Sequence, residues 1–157
     1  MNNIAFTASI TLALALLLLA AAAIDIRTRT IPNPLNAAVA LLAPLAWWAW
    51  GVPLWPDAAI QVGVAIGVFL LFAAFFYLGM MGGGDVKLAA AIALWFPPAT
   101  TLKFIVITSL AGGVVTLATI VWHRARGNEG APEVPYGVAI AFGGMWLLAQ
   151  RFLNHFA

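Results

Sequence analysis

Between Ile4 and Ile24 the chain carries no charged side chain, and charge-free runs of similar or greater length recur from Thr30 to Pro56 and from Ala58 to Gly84. A helix needs roughly 20 consecutive apolar residues to cross the ~30 Å hydrocarbon layer of a bilayer. In lipid every backbone N–H and C=O must be satisfied internally, so continuous apolar runs of this kind read as membrane helices. At 157 residues, 64% hydrophobic and 8% charged, the chain has more apolar surface than a soluble domain of its size can hide. The expected fold is therefore all-α, a polytopic membrane helix bundle forming one domain over residues 1–157 and surrounded by lipid. No internal repeat divides it.

The same composition excludes several functions. A pI near 9.5 arises from a net charge of only +2, and without a basic stripe it does not point to nucleic acid. The absence of cysteine removes disulfides, thiolate nucleophiles and cysteine metal sites. His123 and His155 lie beyond separate apolar segments, so neither a metal nor another cofactor is expected.

Hydropathy and breaker residues define six segments, at about Ile4 to Ile24, Leu35 to Trp50, Ala58 to Leu78, Val86 to Pro97, Leu102 to Trp122, and Val138 to Phe152. Pro44 falls inside the second, where neighbouring helices can accommodate a kink. Trp47, Trp48, Trp50 and Trp55 read as an interfacial aromatic belt. The fourth segment has about 16 Å of helix before Pro97 and Pro98, at 1.5 Å per residue. A cleavable secretory signal at the N-terminus is disfavoured, because no cation precedes the first run while Arg27 and Arg29 follow it.

If all six segments cross, one side holds Arg27, Arg29, Lys87, Arg124 and Arg126, and the other holds Lys103 and Arg151. The positive-inside rule makes the first side cytoplasmic and the N-terminus external. Parity then places two of the five acidic residues, Asp25 and Asp85, at the same cytoplasmic boundary, with Asp57 on the far side. Ionisable groups beside lipid are expensive and are read by default as functional.

Each aspartate also has a plainer reading. Asp25 ends a helix, where the macrodipole disfavours an acid, and Arg27 and Arg29 are available as ion-pair partners. Asp85 follows Gly82-Gly83-Gly84 and could cap the next helix. Ile31-Pro32-Asn33-Pro34 enforces an extended turn, or simply starts a helix. The glycines permit close backbone approach; a phosphate loop is a weak alternative, because no Gly-Lys-Ser or Gly-Lys-Thr ending follows and no strand precedes them. Lys87 is available to Asp85 or, preferably, to lipid headgroups. As a pair, the acids have a chemistry of their own: two nearby carboxylates share one proton, and the ionised member activates a water while the protonated member serves as acid.

The run Asp25-Ile-Arg-Thr-Arg-Thr-Ile-Pro-Asn33, the Gly82-x-Gly84-Asp85-x-Lys87 run and the late Val134-Pro135-Tyr136-Gly137 resemble the prepilin peptidases, GxGD-type intramembrane aspartic peptidases. The resemblance spans nearly the whole chain. It implies that Asp25 and Asp85 are the catalytic pair, and that Gly82, Gly84, Lys87, Pro32, Asn33 and Tyr136 bind substrate or shape loops. It also implies that the substrate is the leader of a type IV (Flp-like) prepilin or pseudopilin, cut after a glycine at the cytoplasmic face of the bacterial inner membrane. The chain resembles the short form, without the cysteine-bearing region associated with N-methylation, so methyl transfer is not expected. The Arg124 to Tyr136 connection reads as a solvated linker or a mobile cover over the site. A proton-coupled transporter and a non-enzymatic subunit of a pilus or secretion assembly are the competing functions. The first needs a polar path across the bilayer, for which the interior offers only Gln61, Thr108, Ser109, Thr116 and Thr119.

Overall fold

The computed structural model describes residues 4–127, 129–130 and 132–156. Among these residues all regular structure is helical, in six helices: α1 (Ile4–Thr28), α2 (Asn33–Ala49), α3 (Ala59–Tyr77), α4 (Gly83–Ala93), α5 (Pro98–Ala125) and α6 (Tyr136–Phe156), with an irregular turn at Leu54–Ala58 before α3. Three helical stretches are long and apolar enough to cross a membrane, at Ile4–Thr28, Leu54–Tyr77 and Pro98–Ala125. The protein is an integral membrane helix bundle.

Lipid tails are as apolar as leucine, so helix association here rests on close packing and hydrogen bonds rather than on escape from water. The exposed leucines fit this: Leu12, Leu16, Leu41, Leu70 and Leu110 face outward. On α1 the buried positions are Ile10, Leu14, Leu18, Ala21 and Asp25, a stripe at three- and four-residue spacing. That stripe carries Asp25 into the bundle. Ser9 and Thr11 return their hydroxyls to the carbonyls of Ala5 and Thr7, which satisfies them without a partner helix.

Helix α1 runs one turn past the segment expected from hydropathy. It ends where Arg29 adopts a left-handed conformation (φ 54°) and donates its N–H to the Asp25 carbonyl at 3.0 Å, an αL-type close. Pro32, extended at φ −64° and ψ 140°, precedes α2, and Pro34 occupies its first turn, where its missing N–H is harmless.

Helix α4 is the central element, buried around most of its circumference and packed against α2, α3 and α6. It is too short to span a bilayer alone, and continues into Trp95 and Phe96, both fully buried. The Trp95 indole donates to the Val39 carbonyl at 3.0 Å, and Trp50 packs edge-on against it with centroids 5.7 Å apart. Bulky aromatics thus fill the depth that α4 leaves.

The aromatic belt needs correction. Trp48 and Trp55 are exposed, but Trp47 is core. Its Nε1 donates to Gln61 Oε1 at 2.8 Å and to the Leu94 carbonyl at 2.9 Å, joining α2, α3 and α4. Trp50 is half-buried beneath the Arg151 guanidinium, 3.6 Å from the ring centroid, a cation–π contact.

Helix α6 packs closely on both α1 and α5 because its glycines leave room. A Cβ at Gly144 would fall 2.9 Å from Leu18, and one at Gly143 would collide with the Thr108 hydroxyl.

Candidate active site

Asp25 and Asp85 reach the interior from opposite chain directions at one end of the bundle. Asp25 lies in the last turn of α1 and is 3% exposed; Asp85 lies in the first turn of α4 and is 7% exposed. The ion-pair reading of Asp25 does not hold: among the described residues neither Arg27 nor Arg29 forms a salt bridge with it, although the Arg29 charge acts on it at longer range. The backbone amides of Gly137 and Val138, at the start of α6, also act on the Asp25 carboxyl.

Asp85 is not the helix cap expected from its place after the glycines. Gly82 takes the cap position, and Asp85 stands three residues inside. Its Oδ2 accepts the Gly82 N–H at 3.2 Å, while its own N–H donates to the Gly82 carbonyl at 3.1 Å. This reciprocal pair is a capping box built without a cap side chain. Helix α4 lies outside the three long apolar spans, and the Asp85 carboxyl is pushed up to about 7, first by burial and then by the charge on Asp25.

One oxygen on each acid is left over. Asp25 Oδ2 and Asp85 Oδ1 are buried and have no hydrogen-bond partner among the described residues. Unpartnered buried carboxylate oxygens are costly, and the two acids are close enough for the charge on Asp25 to raise Asp85.

Beside the acids, Ile31 on the α1–α2 connection lies between two glycines. A Cβ at Gly84 would sit 3.0 Å from the Ile31 carbonyl and 3.2 Å from its nitrogen; a Cβ at Gly137 would sit 2.7 Å from Ile31 Cδ1 and 2.8 Å from Asp25 Oδ2. Gly84 therefore faces Ile31, and Gly82 faces Asp85, 3.1 Å from its Oδ2 to a built Cβ.

The remaining sequence candidates have contacts of their own. Lys87 Nζ donates to Asn33 Oδ1 at 2.8 Å, so the lysine holds the start of α2 rather than Asp85. The Pro32 carbonyl accepts the N–H groups of Leu35 and Asn36. Tyr136 is half-buried beside Gly112, with a built Cβ there 3.8 Å from its ring. Of the 124–136 connection, Asn128 and Ala131 lie outside the described residues, as does the side chain of His155.

Sequence reasoning missed Asn36 and quoted Ile31 and Gly137 within motifs without giving either a role. Asn36 is buried, and its Nδ2 donates to the Gly84 carbonyl at 3.1 Å, tying α2 to the glycine turn. Its position one helical turn after Asn33 was the available signal. Asn36→Ala removes the side-chain bond to that carbonyl and leaves only its bond within α4, at a cost of about 0.5–1.5 kcal/mol. The expected result is a lower unfolding temperature in detergent; an unchanged one would mean that water replaces the amide.

A family model described as the type IV leader peptidase family matches residues 12–117, which include both aspartates. The chain belongs to that family. A "prepilin leader peptidase/N-methyltransferase" of Xanthomonas campestris pv. campestris is 30% identical over 99 residues, 59% of this chain and 33% of the relative. A protein of the same name from Pectobacterium carotovorum subsp. carotovorum is 28% identical over 133 residues, 82% of this chain and 47% of the relative. The chain thus spans less than half the length of either. No solved structure matches.

Proposed function

We propose that this leader peptidase family member is an aspartic endopeptidase that removes the leader of a type IV or Flp-like prepilin or pseudopilin at the cytoplasmic face of the inner membrane. The observation that carries this reading is the pair of buried carboxylates at one end of the bundle, each with an unpartnered oxygen. Family membership and the names of the two relatives support the substrate class.

The chemistry follows from one proton on the pair. The ionised carboxylate takes a proton from water, whose oxygen attacks the scissile carbonyl carbon, while the protonated carboxyl donates to the carbonyl oxygen. Collapse breaks the C–N bond, and the proton taken from water passes to the departing amine. Asp85, whose raised titration favours the neutral form, is the acid, and Asp25 is the base. With all six helices crossing, loop parity puts Arg27, Arg29, Lys87, Arg124 and Arg126 on the side of the pair, which supports a cytoplasmic site and an external N-terminus.

Co-expression with a prepilin from the same cell tests the reading through the substrate's mass. The leader is lost with the wild-type protein; an uncut substrate would sink the proposal. Cleavage also depends on pH. Above about 7 Asp85 loses the proton the mechanism needs, so kcat/KM should fall about tenfold per pH unit on the alkaline side. A flat profile from pH 6 to 9 would remove Asp85 from the acid role.

The transporter reading fares poorly. Gln61 is bonded to Trp47, and the hydroxyls of Ser109, Thr116 and Thr119 return to carbonyls of their own helix. The Thr108 hydroxyl is buried without a partner among the described residues, so none of the five groups is hydrogen-bonded to another.

A further inference from the structure

A trough of about 470 Å³ opens along α3, α5 and α6, lined by Phe75, Met80, Met81, Gly113, Leu117 and Tyr136 among others. We propose that it receives the apolar helix of the substrate immediately beyond the scissile bond. The proposal rests on the peptidase reading and names where the rest of the substrate lies.

The trough adjoins both acids through adjacent residues of the chain. Met81 directly precedes Gly82, whose N–H Asp85 accepts, and Tyr136 directly precedes Gly137, against which Asp25 rests. A peptide whose carbonyl lies between the carboxylates would therefore pass into this trough as it leaves the site. The lining suits an apolar helix: Gly112 and Gly113 allow close backbone approach, two methionines adapt to irregular side chains, and Ser109 and Thr116 turn their hydroxyls onto their own helix. A second trough, on α2, α3 and α4 and lined by Asn33, Val62, Ile66 and Lys87 among others, is similarly apolar. It reaches Asp85 through Asn36, whose Nδ2 holds the Gly84 carbonyl, but none of its lining residues is next to Gly137, against which Asp25 rests, and the Lys87–Asn33 bond stands at its edge.

The chain has no cysteine, so one introduced thiol is unambiguous. At Gly113 a built Cβ meets nothing within 4 Å, so substitution there does not disturb packing. Gly113→Cys, combined with Asp85→Asn to retain uncut substrate, is oxidised with a prepilin carrying one cysteine at successive positions of its apolar segment. Disulfides are expected at positions repeating every three or four residues, starting in the first two turns. Ile66→Cys, in the second trough, is expected to yield none. In parallel, Gly113→Leu should lower cleavage of the membrane-anchored prepilin at least tenfold relative to a short soluble peptide spanning the leader junction. Equal crosslinking at both troughs, none at either, or an unchanged ratio overturns the proposal. So does a phospholipid that native mass spectra show to be retained at saturating substrate, which would make lipid the occupant. If Asp85→Asn still removes the leader, the peptidase reading itself has failed; if that variant is inactive and only the crosslinks are missing, the trough alone is refuted.

Discussion

Asp25→Asn and Asp85→Asn should each leave the prepilin leader attached, with cleavage reduced at least ~10³-fold, because each removes one half of a general acid–base pair. The two losses are not additive. Either single variant ends the shared-proton chemistry, so the double variant should be little worse than the singles. Loss of folding is the rival explanation, and Asp85 offers a way to exclude it. The folded protein holds that proton up to about pH 7, whereas an unfolded chain releases it near about pH 4. Asp85 therefore favours folding most below pH 4 and loses that contribution as pH rises through 7, where its buried charge becomes a cost. At pH 8 Asp85→Asn should be inactive, yet unfold at a temperature no lower than wild type. Asp57→Asn, on the exposed turn before α3, should cleave normally. Leader removal by either single variant, measured as substrate mass, would end the proposed mechanism.

Gly137→Ala should reduce cleavage about 10²-fold, the scale expected when a reacting group is displaced by about 1 Å. The added methyl would stand 2.7 Å from Ile31 Cδ1, 2.8 Å from Asp25 Oδ2 and 2.9 Å from its Cγ, distances that real carbon atoms do not keep. Ile31 can rotate its end away, but the Asp25 carboxyl must turn as well, which moves the buried oxygen assigned to the reaction. Overpacking of this kind costs about 1–3 kcal/mol, so a modest fall in unfolding temperature should accompany the catalytic loss. Gly67→Ala, where a Cβ meets nothing within 4 Å, should stay within about twofold of wild type, as unhindered surface changes do. A Gly137→Ala protein as active as wild type would mean that Asp25 has freedom the packing does not suggest.

The helical bundle was legible because lipid leaves the backbone few choices. Charge-free runs bounded by Pro, Gly and arginine marked all six helices within a few residues, and loop parity put Asp25 and Asp85 at one end. What it could not do was assign partners. Lys87 sits beside Asp85 in sequence yet bonds Asn33 on α2, and Trp47, which reads like its belt neighbours, is buried because Gln61 and the Leu94 carbonyl await its N–H. Asp85 looked like a cap and proved to be the residue one turn in.

Apolar patterning and a few charges, then, were enough to specify helices, their number and the end at which the acids stand, since each is a local property of chain and solvent. The tertiary structure alone decided that Ile31 separates Gly84 from Gly137, that the start of α6 lies against Asp25, and that an apolar trough runs along α3, α5 and α6. Those relations join residues far apart in sequence, and steric fit between three helices, which no single segment encodes, is what selects them.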